Sequence, residues 1–486
     1  MTLRQLMLDA FPDHPAPDSL PDVPISGLEC DSRKIERGFV FVALRGAKLD
    51  GNAFIGEAAR RGASAVIADA VPDSPTGVPV VSVPDSREAA ARLASAFYGH
   101  PSKRLKIVGV TGTNGKTTTT YLAEFLLDQH QKKPGVIGTV SYRYAGVETP
   151  AVETTPGPLD LQRLFSAMVQ SGCESAVMEV SSHALDQHRV GGIDFTAAVF
   201  TNLTQDHLDY HGSMQAYFES KAKLFSGLSS GSTAVLNCDD AWSAKLAGLT
   251  AARVLTFGIE RDADLRARSL GRNADSMDFE LVHRGRRTAV SLPLIGRHNV
   301  YNALAALGVC EALGVPVEEA ARSLRAFPGV PGRLEAVRCG QPFTVLVDFA
   351  HTPDGLENVL QALAEHRQKK LFVVFGCGGD RDRTKRPKMA AIAAQWADFV
   401  YVTSDNPRSE KPQAIADEIC AGFPSGFRNR TVVLDRRKAI RQALLAARAG
   451  DIVLLAGKGH ERTQIIGNKV LEYSDRGEAE QVLHGH

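Results

Sequence analysis

Residues 111 to 118 read Thr-Gly-Thr-Asn-Gly-Lys-Thr-Thr, a composition and spacing that suit a phosphate-binding loop. The apolar run 105–110 precedes this segment and the helix-like run 121–127 follows it, so it joins a predicted strand to a predicted helix. In such a loop the backbone N–H groups hold phosphate oxygens, Lys116 contacts the outer phosphates and the Thr117 hydroxyl ligates Mg²⁺. We therefore expect the chain to consume a nucleoside triphosphate such as ATP.

One position departs from the general phosphate-loop pattern, which has a glycine five places before Gly115. Val110 stands at that place, and Gly112 lies inside the loop instead. The alternative interpretation is a glycine-rich turn that binds nothing. The Gly-Lys-Thr sequence at a strand-to-helix junction favours phosphate binding over that alternative.

Glu179 follows the apolar run 176–178, in the segment Met-Glu-Val-Ser-Ser-His. A nucleotide enzyme needs a carboxylate at such a strand end to hold the metal on its phosphates. We predict that Glu179 is a Mg²⁺ ligand. The alternative is a surface glutamate at the end of a strand.

The segment 201–212 reads Thr-Asn-Leu-Thr-Gln-Asp-His-Leu-Asp-Tyr-His-Gly and concentrates two aspartates and two histidines. Such a group could form a transition-metal hydrolase site. The phosphate loop, however, requires a hard cation that prefers oxygen ligands. We therefore predict that His207 lies next to Mg²⁺, and we interpret Asp206, Asp209 and His211 as a hydrogen-bonding scaffold.

Two loops in the last third of the chain carry arginines, one at 376–383 and one at 404–408. An arginine fork binds a carboxylate through two parallel hydrogen bonds, and each charge-assisted contact contributes about 1.5 to 3 kcal/mol. The loops therefore suit a substrate with carboxylates; the alternative is a solvated turn and a basic surface loop. Gly-Cys-Gly-Gly at 376–379 also suggests dinucleotide binding, but the third glycine of that pattern would fall at Arg381, which disfavours it.

The composition indicates an ordinary globular protein. Hydrophobic residues make up 44% and charged residues 23% of the chain, and the net charge of +1 gives no argument for a nucleic-acid or acidic membrane partner. The seven cysteines are scattered and form no Cys-x-x-Cys pair, which disfavours a disulfide framework or a zinc site. With no signal-like or membrane-length apolar segment, we expect a cytoplasmic protein and, as our default, a monomer.

Three domains are expected from 486 residues at roughly 150 residues each. The fold class is α/β, with a small N-terminal α/β domain at 1–100, a central P-loop-type parallel-sheet domain at 101–332 and a C-terminal Rossmann-like domain at 333–486. Alternating polar and apolar residues between about 263 and 294 predict an antiparallel addition. The segment 327–333 is typical of a linker.

The C-terminal domain contains five β-like runs, at 345–347, 371–375, 399–402, 432–434 and 452–455. Polar or glycine-rich segments follow four of them at once, at 348–354, 376–382, 404–408 and 457–461. In an open α/β sheet, ligands bind beyond the carboxyl ends of the strands. We therefore predict that this domain carries half of an active site.

Six segments occur in this order along the chain: Thr-Gly-Thr-Asn-Gly-Lys-Thr-Thr, Met-Glu-Val-Ser-Ser-His, Thr-Asn-Leu-x-x-Asp-His-Leu-Asp-Tyr-His-Gly, Gly-x-His-Asn-x-x-Asn-Ala, Asp-x-Ala-His-x-Pro-Asp and Ala-Gly-Lys-Gly-His-Glu. Together they make the chain resemble, nearly end to end, the Mur ligases of peptidoglycan synthesis. That family shares the missing first glycine of the phosphate loop.

The resemblance implies an ATP-dependent, ADP-forming amide ligation in peptidoglycan precursor synthesis, and so a part in cell wall biogenesis, cell shape and cell division. The γ-phosphate of ATP goes to the D-glutamate side-chain carboxylate of UDP-N-acetylmuramoyl-L-Ala-D-Glu, and the amine of meso-diaminopimelate attacks the resulting acyl phosphate. The Asp-Asn-Pro-Arg segment at 405–408 indicates diaminopimelate, because lysine lacks the extra carboxylate that Arg408 would bind. Most of the catalytic work is then positioning and charge stabilisation.

The resemblance also implies site residues for each substrate, for the metal and for catalysis. The ATP-binding residues are Gly112, Thr113, Asn114, Gly115, Lys116, Thr117, Thr118, Asn299, Asn302, Arg333 and Asp348. The UDP end is held by Cys30, Ser32, Ala47, Lys48 and Leu49, and the muramoyl-dipeptide end by Thr154, Thr155, Ser181, Gln187 and Arg189. Diaminopimelate is held by Arg381, Asp405, Asn406, Pro407, Arg408, Gly457 and Glu461. The metal is held by Thr117, Glu179, His207 and carbamylated Lys221, and the catalytic residues are Lys116, Glu179, His207 and Lys221.

Lys221, in Glu-Ser-Lys-Ala-Lys-Leu-Phe, matches the family lysine that CO₂ carbamylates. That modification turns a cation into an extra carboxylate, which would help to hold a second Mg²⁺. From the residues alone, Lys221 would be a solvated helix residue equivalent to Lys223.

Three other functions would account for part of this sequence pattern. Folylpolyglutamate synthetase shares the chemistry, but its loop usually reads Gly-Lys-Gly-Ser where this chain has Gly-Lys-Thr-Thr. A lysine-adding variant of the same ligase would depart from the Asp-Asn-Pro-Arg segment. A nucleotide-binding regulator of another class would leave the arginine loops and the 457–461 loop without a role.

Overall fold

The computed structural model describes residues 1–13, 20–46, 49–70, 76–273 and 276–485. These residues form two compact units. Unit 1 contains residues 1–111, 131–198 and 223–233, and unit 2 contains residues 112–130, 199–222 and 234–486. The division passes through the stretch predicted as the central domain, so each unit is described by itself.

The first hundred residues of unit 1 form a four-stranded parallel sheet in the order β1-β2-β3-β4. Its elements are α1 (Leu3–Ala10), β1 (Gly27–Glu29), β2 (Phe39–Ala43), α2 (Ile55–Arg60), β3 (Ala65–Ala68), β4 (Val80–Ser82) and α3 (Ser86–Phe97). The middle strands β2 and β3 are apolar on both faces because helices or loops cover each side. This confirms the predicted small α/β fold.

The stretch from residue 101 to 332 contributes to both units. Its elements are β5 (Lys106–Thr111), α4 (Lys116–Gln129), β6 (Pro134–Ile137), β7 (Ser141–Tyr144), β8 (Val147–Pro150), α5 (Pro158–Gln170), β9 (Ser175–Glu179), α6 (Ser182–Asp186), β10 (Phe195–Phe200), α7 (Leu208–His211), α8 (Met214–Ser226), β11 (Thr233–Asn237), α9 (Ser243–Leu249), β12 (Arg253–Gly258), β13 (Leu265–Arg272), β14 (Met277–His283), β15 (Arg286–Leu292), α10 (Arg297–Ala312) and α11 (Val317–Ser323).

In this stretch, the strands whose carboxyl ends lie next to predicted site residues are parallel. In unit 1, β9 pairs in parallel with both β5 and β6, and the hairpin β7–β8 extends the sheet in antiparallel fashion. In unit 2, β13, β14 and β15 pair antiparallel, which confirms the addition predicted between about 263 and 294. Helix α10 is apolar almost all round because it packs against both α4 and strands β12 and β13.

The stretch from residue 333 onward lies wholly in unit 2. Its elements are β16 (Glu335–Ala336), β17 (Thr344–Asp348), α12 (Pro353–His366), β18 (Leu371–Phe375), α13 (Lys385–Trp396), β19 (Phe399–Val402), α14 (Pro412–Cys420), β20 (Arg430–Val432), α15 (Arg436–Ala446), β21 (Ile452–Ala456), β22 (Thr463–Ile466), β23 (Lys469–Glu472) and α16 (Asp475–His484).

The C-terminal sheet has the order β16-β17-β21-β18-β19-β20, and the five strands from β17 to β20 in this order are parallel. Helices α12, α13 and α14 cover one face and α15 and α16 the other, which is why β18 is buried along its whole length. The predicted parallel sheet is thereby confirmed. The strand expected at 432–434 begins two residues earlier, because β20 pairs with β19 through Arg430–Val432.

Candidate active site

The phosphate loop has a backbone that only glycine tolerates at two positions. Gly115 has φ +87° at the residue before α4, and Gly112 has φ +148°. A Cβ atom at Gly115 would lie 2.3 Å from Oδ1 of Asn302, and one at Gly112 would lie 1.9 Å from Oγ1 of Thr201. The glycines are therefore required by close packing as well as by conformation.

Within unit 2, residues of the phosphate loop form hydrogen bonds with Asn202 and with one another. The N–H of Thr113 donates to the carbonyl of Asn202 at 2.9 Å, and the N–H of Asn114 donates to Oδ1 of Asn202 at 2.9 Å. Nζ of Lys116 donates to the carbonyls of Gly112 at 2.9 Å and Thr113 at 2.8 Å. A lysine folded over a loop of N–H groups is the arrangement that holds the phosphates of a nucleotide.

The predicted nucleotide residues Asn299 and Asn302 lie together on α10. Nδ2 of Asn302 donates to Oδ1 of Asn299 at 3.0 Å, and both side chains are buried. Thr117 and Thr118 are buried in the first turn of α4. Helix α10 therefore brings its two asparagines to the phosphate loop, since Oδ1 of Asn302 faces Gly115.

Arg333 connects the phosphate loop to the strand β17. Its Nη2 donates to Oγ1 of Thr117 at 3.1 Å, and its guanidinium lies 4.7 Å from the ring centroid of Phe349. Asp348 at the end of β17 accepts N–H donors from Leu334 and Ala350, each at 2.7 Å. Burial raises the pKa of Asp348, against the lowering effect of Arg333 and these two donors.

Two further loop contacts escaped prediction. Nδ2 of Asn114 donates to Oδ2 of Asp354 at 2.6 Å, and Oγ1 of Thr352 donates to Oδ1 of Asn114 at 3.3 Å. Both partners lie in the Asp-x-Ala-His-x-Pro-Asp segment, whose Thr352 and Asp354 had no predicted role. The recurrence of polar residues after β17 was the signal that could have identified them.

His207 takes a left-handed conformation, φ +52°, immediately before α7. Its N–H donates to Oδ1 of buried Asp206 at 2.9 Å, and its Nε2 lies 3.3 Å from Oδ2. Burial would raise the pKa of Asp206, but His207, His351 and Lys385 outweigh burial and lower it to about 2. Asp206 thus contacts both the backbone and the ring of His207; the scaffold role of Asp206, Asp209 and His211 stays a prediction.

Lys221 and Lys223 are not equivalent, which corrects the interpretation made from the residues alone. Lys221 is buried at 1% exposure; its Nζ donates to the carbonyl of Gly112 at 2.9 Å and lies 4.5 Å from the ring centroid of Tyr217. Lys223 lies in unit 1, half-exposed beside Asp186. Burial, followed by the charge of Lys116, holds the pKa of Lys221 well below its usual range, against the effect of Asp206.

Glu179 is the last residue of β9 and is 1% exposed, so the surface-glutamate alternative is wrong. Within unit 1, its Oε1 accepts the N–H of Thr139 at 2.8 Å and its Oε2 accepts the Thr139 hydroxyl at 2.9 Å. A Cβ atom at Gly138 would lie 2.6 Å from Oε1. Thr139 therefore fixes both carboxylate oxygens, a contact that no sequence pattern indicated.

The residues predicted for the muramoyl-dipeptide end form one network in unit 1. Oγ1 of Thr155 donates to the carbonyl of Glu179 and accepts the N–H of Ser181, while Thr154 meets the Thr139 hydroxyl at 3.1 Å. Arg189 donates to Oε1 of Gln187, to the carbonyl of Thr155 and to Glu153. Glu153 was not predicted, although it adjoins Thr154 in the chain.

The residues predicted for the UDP end are less closely grouped. Asp31 caps a short helix, Ser32–Lys34, and the Ser32 hydroxyl donates to Glu57 at 3.1 Å. Cys30 is half-buried, and its N–H donates to Oε1 of Glu29; burial, then Glu29 and Asp160, raise the pKa of its thiol. Leu49 is 69% exposed, whereas Ala47 and Lys48 lie outside the described residues.

Arg381 and Arg408 stand on neighbouring loops at the carboxyl ends of β18 and β19. Nη1 of Arg408 donates to the carbonyl of Gly379 at 2.8 Å, and a Cβ atom at Gly378 would lie 2.9 Å from that nitrogen and 3.7 Å from Arg381. Burial, and then the charge of Arg381, lower the pKa of Arg408. The positive charges of Arg381 and Arg408 thus act on each other, a situation that favours an anionic ligand such as a carboxylate.

The remaining residues predicted for diaminopimelate adjoin these arginines. The N–H of Asn406 donates to Oδ1 of Asp405 at 2.7 Å, and Nδ2 of Asn406 donates to Oε2 of Glu461 at 3.0 Å. Pro407 is buried, with its carbonyl against Gly379. Gly457 has φ +111°, and a Cβ atom there would lie 3.0 Å from Oδ2 of Asp405.

The described residues contain oxygen donors suited to Mg²⁺ and no cluster suited to a transition metal. Among them, no three His, Cys, Asp or Glu side chains come together in a group suited to a metal ion, which disfavours the transition-metal hydrolase alternative. Mg²⁺ differs, because it keeps several waters and is bound through substrate phosphates with one or two protein oxygens. In unit 2 the buried Thr117 hydroxyl, and in unit 1 the buried Glu179 carboxylate, are each an oxygen ligand of the kind that Mg²⁺ takes.

Family models match the chain in three consecutive segments: "Mur ligase family, catalytic domain" at residues 24–98, "Mur ligase middle domain" at 110–310 and "Mur ligase, glutamate ligase domain" at 332–459. Together with the parallel sheets, they confirm the predicted fold class with its three domains. The predicted boundaries at residues 100 and 332 stay predictions.

Curated relatives extend over most of the chain. A UDP-N-acetylmuramoyl-L-alanyl-D-glutamate–2,6-diaminopimelate ligase from Gloeobacter violaceus is 48% identical over 96% of this chain and 95% of its own length. One of the same name from Geobacillus kaustophilus is 48% identical over 93% of both. A solved structure of a ligase of that name matches with a TM-score of 0.71 and 34% identity, covering 100% of this chain and 99% of its own.

The first prediction concerns the charge of Lys221. The amine is neutral in the folded chain well below the unfolded pKa of about 10.4, so folding releases a proton in that window and the free energy of unfolding rises with pH, by up to about 1.4 kcal/mol per unit. Lys221→Met removes this dependence. In CO₂-free buffer, the free energy of unfolding of Lys221→Met minus that of the unsubstituted protein should fall as pH rises from about 7 to about 9. Urea unfolding measures both values.

The matched control is Lys223→Met, which changes an exposed lysine two residues away. Its stability difference should stay constant with pH. Loss of the Lys221 bond to Gly112 adds only a constant offset, so parallel stability curves for the Lys221→Met and unsubstituted proteins would contradict a neutral Lys221.

Proposed function

The chain belongs to the Mur ligase family, and from that membership we propose that it is an ATP-dependent, ADP-forming ligase that joins meso-diaminopimelate to UDP-N-acetylmuramoyl-L-Ala-D-Glu. It would thereby act in peptidoglycan precursor synthesis. The two compact units each carry one set of the residues expected for this reaction. The observation that carries the proposal is the Arg381–Arg408 pair beside Asn406 and Glu461, in a unit that also holds a phosphate loop.

The loops at 376–383, 404–408 and 457–461, called the acceptor loops below, suit an amino acid with two carboxylates and a reacting amine. The clustered guanidinium groups provide bidentate donors for a carboxylate. The Glu461 carboxylate, 31% exposed, provides an acceptor for an ammonium. L-Lysine has no carboxylate at the far end of its side chain, so it would leave part of this positive charge unmatched.

The reaction is balanced in two steps. A D-glutamate carboxylate oxygen attacks the γ-phosphorus of ATP, the bond to the β,γ-bridging oxygen breaks and ADP leaves. The neutral amine of diaminopimelate then attacks the acyl carbon, a C–N bond forms, phosphate leaves and the amine releases a proton. Each step transfers a group between bound substrates, so the protein contributes mainly position and charge.

The residues of unit 2 have separable tasks in the first step. The N–H groups of Gly115 to Thr118, at the start of α4, would hold the phosphate oxygens, whereas those of Thr113 and Asn114 donate to Asn202 and so brace the loop. Lys116 now donates to loop carbonyls, and phosphate oxygens would offer it stronger, anionic acceptors. Arg333 reaches Thr117 in the same loop, and so can stabilise charge on the phosphates or order Thr117.

Magnesium is the expected cofactor, with Thr117, Glu179 and His207 as its proposed neighbours. When bound with ATP, it would neutralise phosphate charge and so ease transfer of the γ-phosphoryl group. Thr117 and His207 belong to unit 2, and Glu179 belongs to unit 1. Thr139 donates to both Glu179 oxygens and so keeps them oriented as hydrogen-bond acceptors.

Lys221 is proposed to be carbamylated. The neutral amine nitrogen attacks the carbon of CO₂, a C–N bond forms and a proton is released, leaving a carbamate with a negative charge. Only the unprotonated amine reacts in this way, and burial beside Lys116 favours that form. The added charge would help to hold a second Mg²⁺ and would compensate the cations around Gly112.

The setting of this reaction follows from its substrates. ATP as a co-substrate favours the cytoplasm, and no helix among the described residues is long and apolar enough to cross a membrane. The monomeric state stays a prediction. The folylpolyglutamate and lysine-adding alternatives are not favoured, because the relatives at 48% identity carry the name of the diaminopimelate ligase.

The second prediction is that ADP release requires both UDP-N-acetylmuramoyl-L-Ala-D-Glu and meso-diaminopimelate, because phosphoryl transfer needs the acceptor carboxylate and turnover needs the amine. A coupled ADP assay with each substrate omitted in turn measures this. ATP hydrolysis that ignores both substrates would refute the ligase function.

The third prediction concerns Arg408. Arg408→Lys should raise KM for meso-diaminopimelate by about 10-fold or more, because an ammonium cannot form the bidentate fork. Arg383→Lys, on the neighbouring loop and 64% exposed, is the matched control and should leave that KM unchanged. Steady-state kinetics with meso-diaminopimelate and L-lysine measure both effects, and equal rates with the two amino acids would contradict the proposed specificity.

The fourth prediction is a carbamate at Lys221. With ¹³C-bicarbonate, ¹³C NMR should show a carbamate carbonyl signal that is absent from Lys221→Arg and retained in Lys223→Arg. A signal that survives in Lys221→Arg would place the modification elsewhere, and no signal in the unsubstituted protein would exclude it.

A further inference from the structure

Lys458 is a fully buried lysine next to the acceptor residues, and none of the roles assigned above accounts for it. Its Nζ donates to Oδ1 of Asn406 at 3.1 Å and to Oε2 of Glu461 at 2.6 Å. The ring centroid of Tyr473 lies 5.8 Å from Nζ. Burying an ammonium is costly unless its partners are held in good geometry, so these contacts indicate a defined task.

Lys458 helps to determine the orientation of the Asn406 side-chain amide. Its Oδ1 accepts from Lys458 and also from the N–H of Ile465 at 2.9 Å, while its Nδ2 donates to Oε2 of Glu461. Rotating the amide by half a turn would place its NH₂ group against two donors and its oxygen against a carboxylate. Lys458, the N–H of Ile465 and Glu461 together determine which way the Asn406 amide faces.

The Glu461 carboxylate is oriented by the same two residues. Lys458 and Asn406 both donate to Oε2, at 2.6 and 3.0 Å. The side chain is 31% exposed, and within the described residues these donors leave Oε1 available to a ligand. An oriented carboxylate oxygen at a partly exposed position suits the ammonium of an amino acid.

The backbone around Lys458 explains why the side chain turns inward. Gly457 and Gly459 have φ of +111° and +52°, values that favour glycine. A Cβ atom at Gly459 would lie 2.7 Å from Cβ of Phe349, and one at Gly457 would lie 3.0 Å from Asp405. The Gly-Lys-Gly turn is thus packed tightly on both sides, with the lysine between.

We propose that Lys458 is a positioning residue for the acceptor amino acid, holding Asn406 and Glu461 so that Oε1 of Glu461 receives a substrate ammonium. Lys458 acts through these two side chains and does not itself contact the substrate. The inference rests on the proposed ligase function. It identifies the group that orders the acceptor site: one buried ammonium that donates to both Asn406 and Glu461.

The fifth prediction tests this role with Lys458→Met, which removes the ammonium and retains a similar side-chain length. KM for meso-diaminopimelate should rise between about 10-fold and 100-fold, the loss expected for one hydrogen bond to a charged group. KM for ATP and kcat at saturating acceptor should change less than about threefold. Lys438→Met, an exposed lysine on α15, is the control and should alter none of these values.

A double variant separates positioning from folding. Lys458→Met/Glu461→Gln removes both charges, so it should fold even if Lys458→Met alone does not. Relative to Glu461→Gln, it should raise KM for meso-diaminopimelate by no more than about twofold, because Lys458 would have lost the charged group it orients. A further large rise, or an equal rise in KM for ATP, would overturn the positioning role.

The two proposals fail in distinguishable ways. If the unsubstituted protein shows no ADP release dependent on meso-diaminopimelate, the ligase function fails. If it shows such release and Lys458→Met leaves KM for meso-diaminopimelate unchanged, the inference on Lys458 alone is wrong.

Discussion

The carbonyl oxygen of Gly112 accepts hydrogen bonds from both Lys116 and Lys221, each at 2.9 Å, and this shared acceptor constrains the charges around the phosphate loop. Two ammonium groups on one neutral oxygen repel each other, and the repulsion is strong where water is excluded. Lys221 is the more buried of the two, and burial, followed by the charge of Lys116, holds its pKa well below the usual range. Under the proposed function, Lys116 would be the cation that meets the phosphates and Lys221 the amine that reacts with CO₂.

The packing around Gly112 makes this arrangement inflexible. A Cβ atom at Gly112 would collide with Thr201, while Thr113 and Asn114 are tied to Asn202. The Lys221 amine also lies above the ring of Tyr217, whose hydroxyl meets Thr113 at 3.3 Å. The loop, the end of β10 and α8 thus share one set of contacts, so Lys221 has little freedom to withdraw from Gly112.

Prediction from the sequence succeeded where the determinants are local. The parallel C-terminal sheet followed from apolar runs bounded by polar loops, and the order β17-β21-β18-β19 places four of those loops at one edge. The burial of Lys221, in contrast, depends on how α8 packs against a loop about a hundred residues away in the sequence. The pattern of apolar residues within α8 does not reveal that contact. Thr139 and Glu153 escaped for the same reason: their roles come from contacts with Glu179 and Arg189, distant in sequence.

The acceptor loops show why buried ion pairs are retained in this domain despite their cost. Arg386 is fully buried; it binds Glu410 through both Nη atoms, at 2.9 and 2.7 Å, and also donates to the carbonyl of Gly378. Glu410 in turn accepts the N–H of Asp380 at 2.6 Å. Such a pair adds little net stability compared with apolar residues of the same size. It does join the loop of Arg381 to the loop of Arg408 through directional bonds. The Arg386–Glu410 pair therefore links the loops that carry the two like charges, Arg381 and Arg408, through contacts made entirely by the protein.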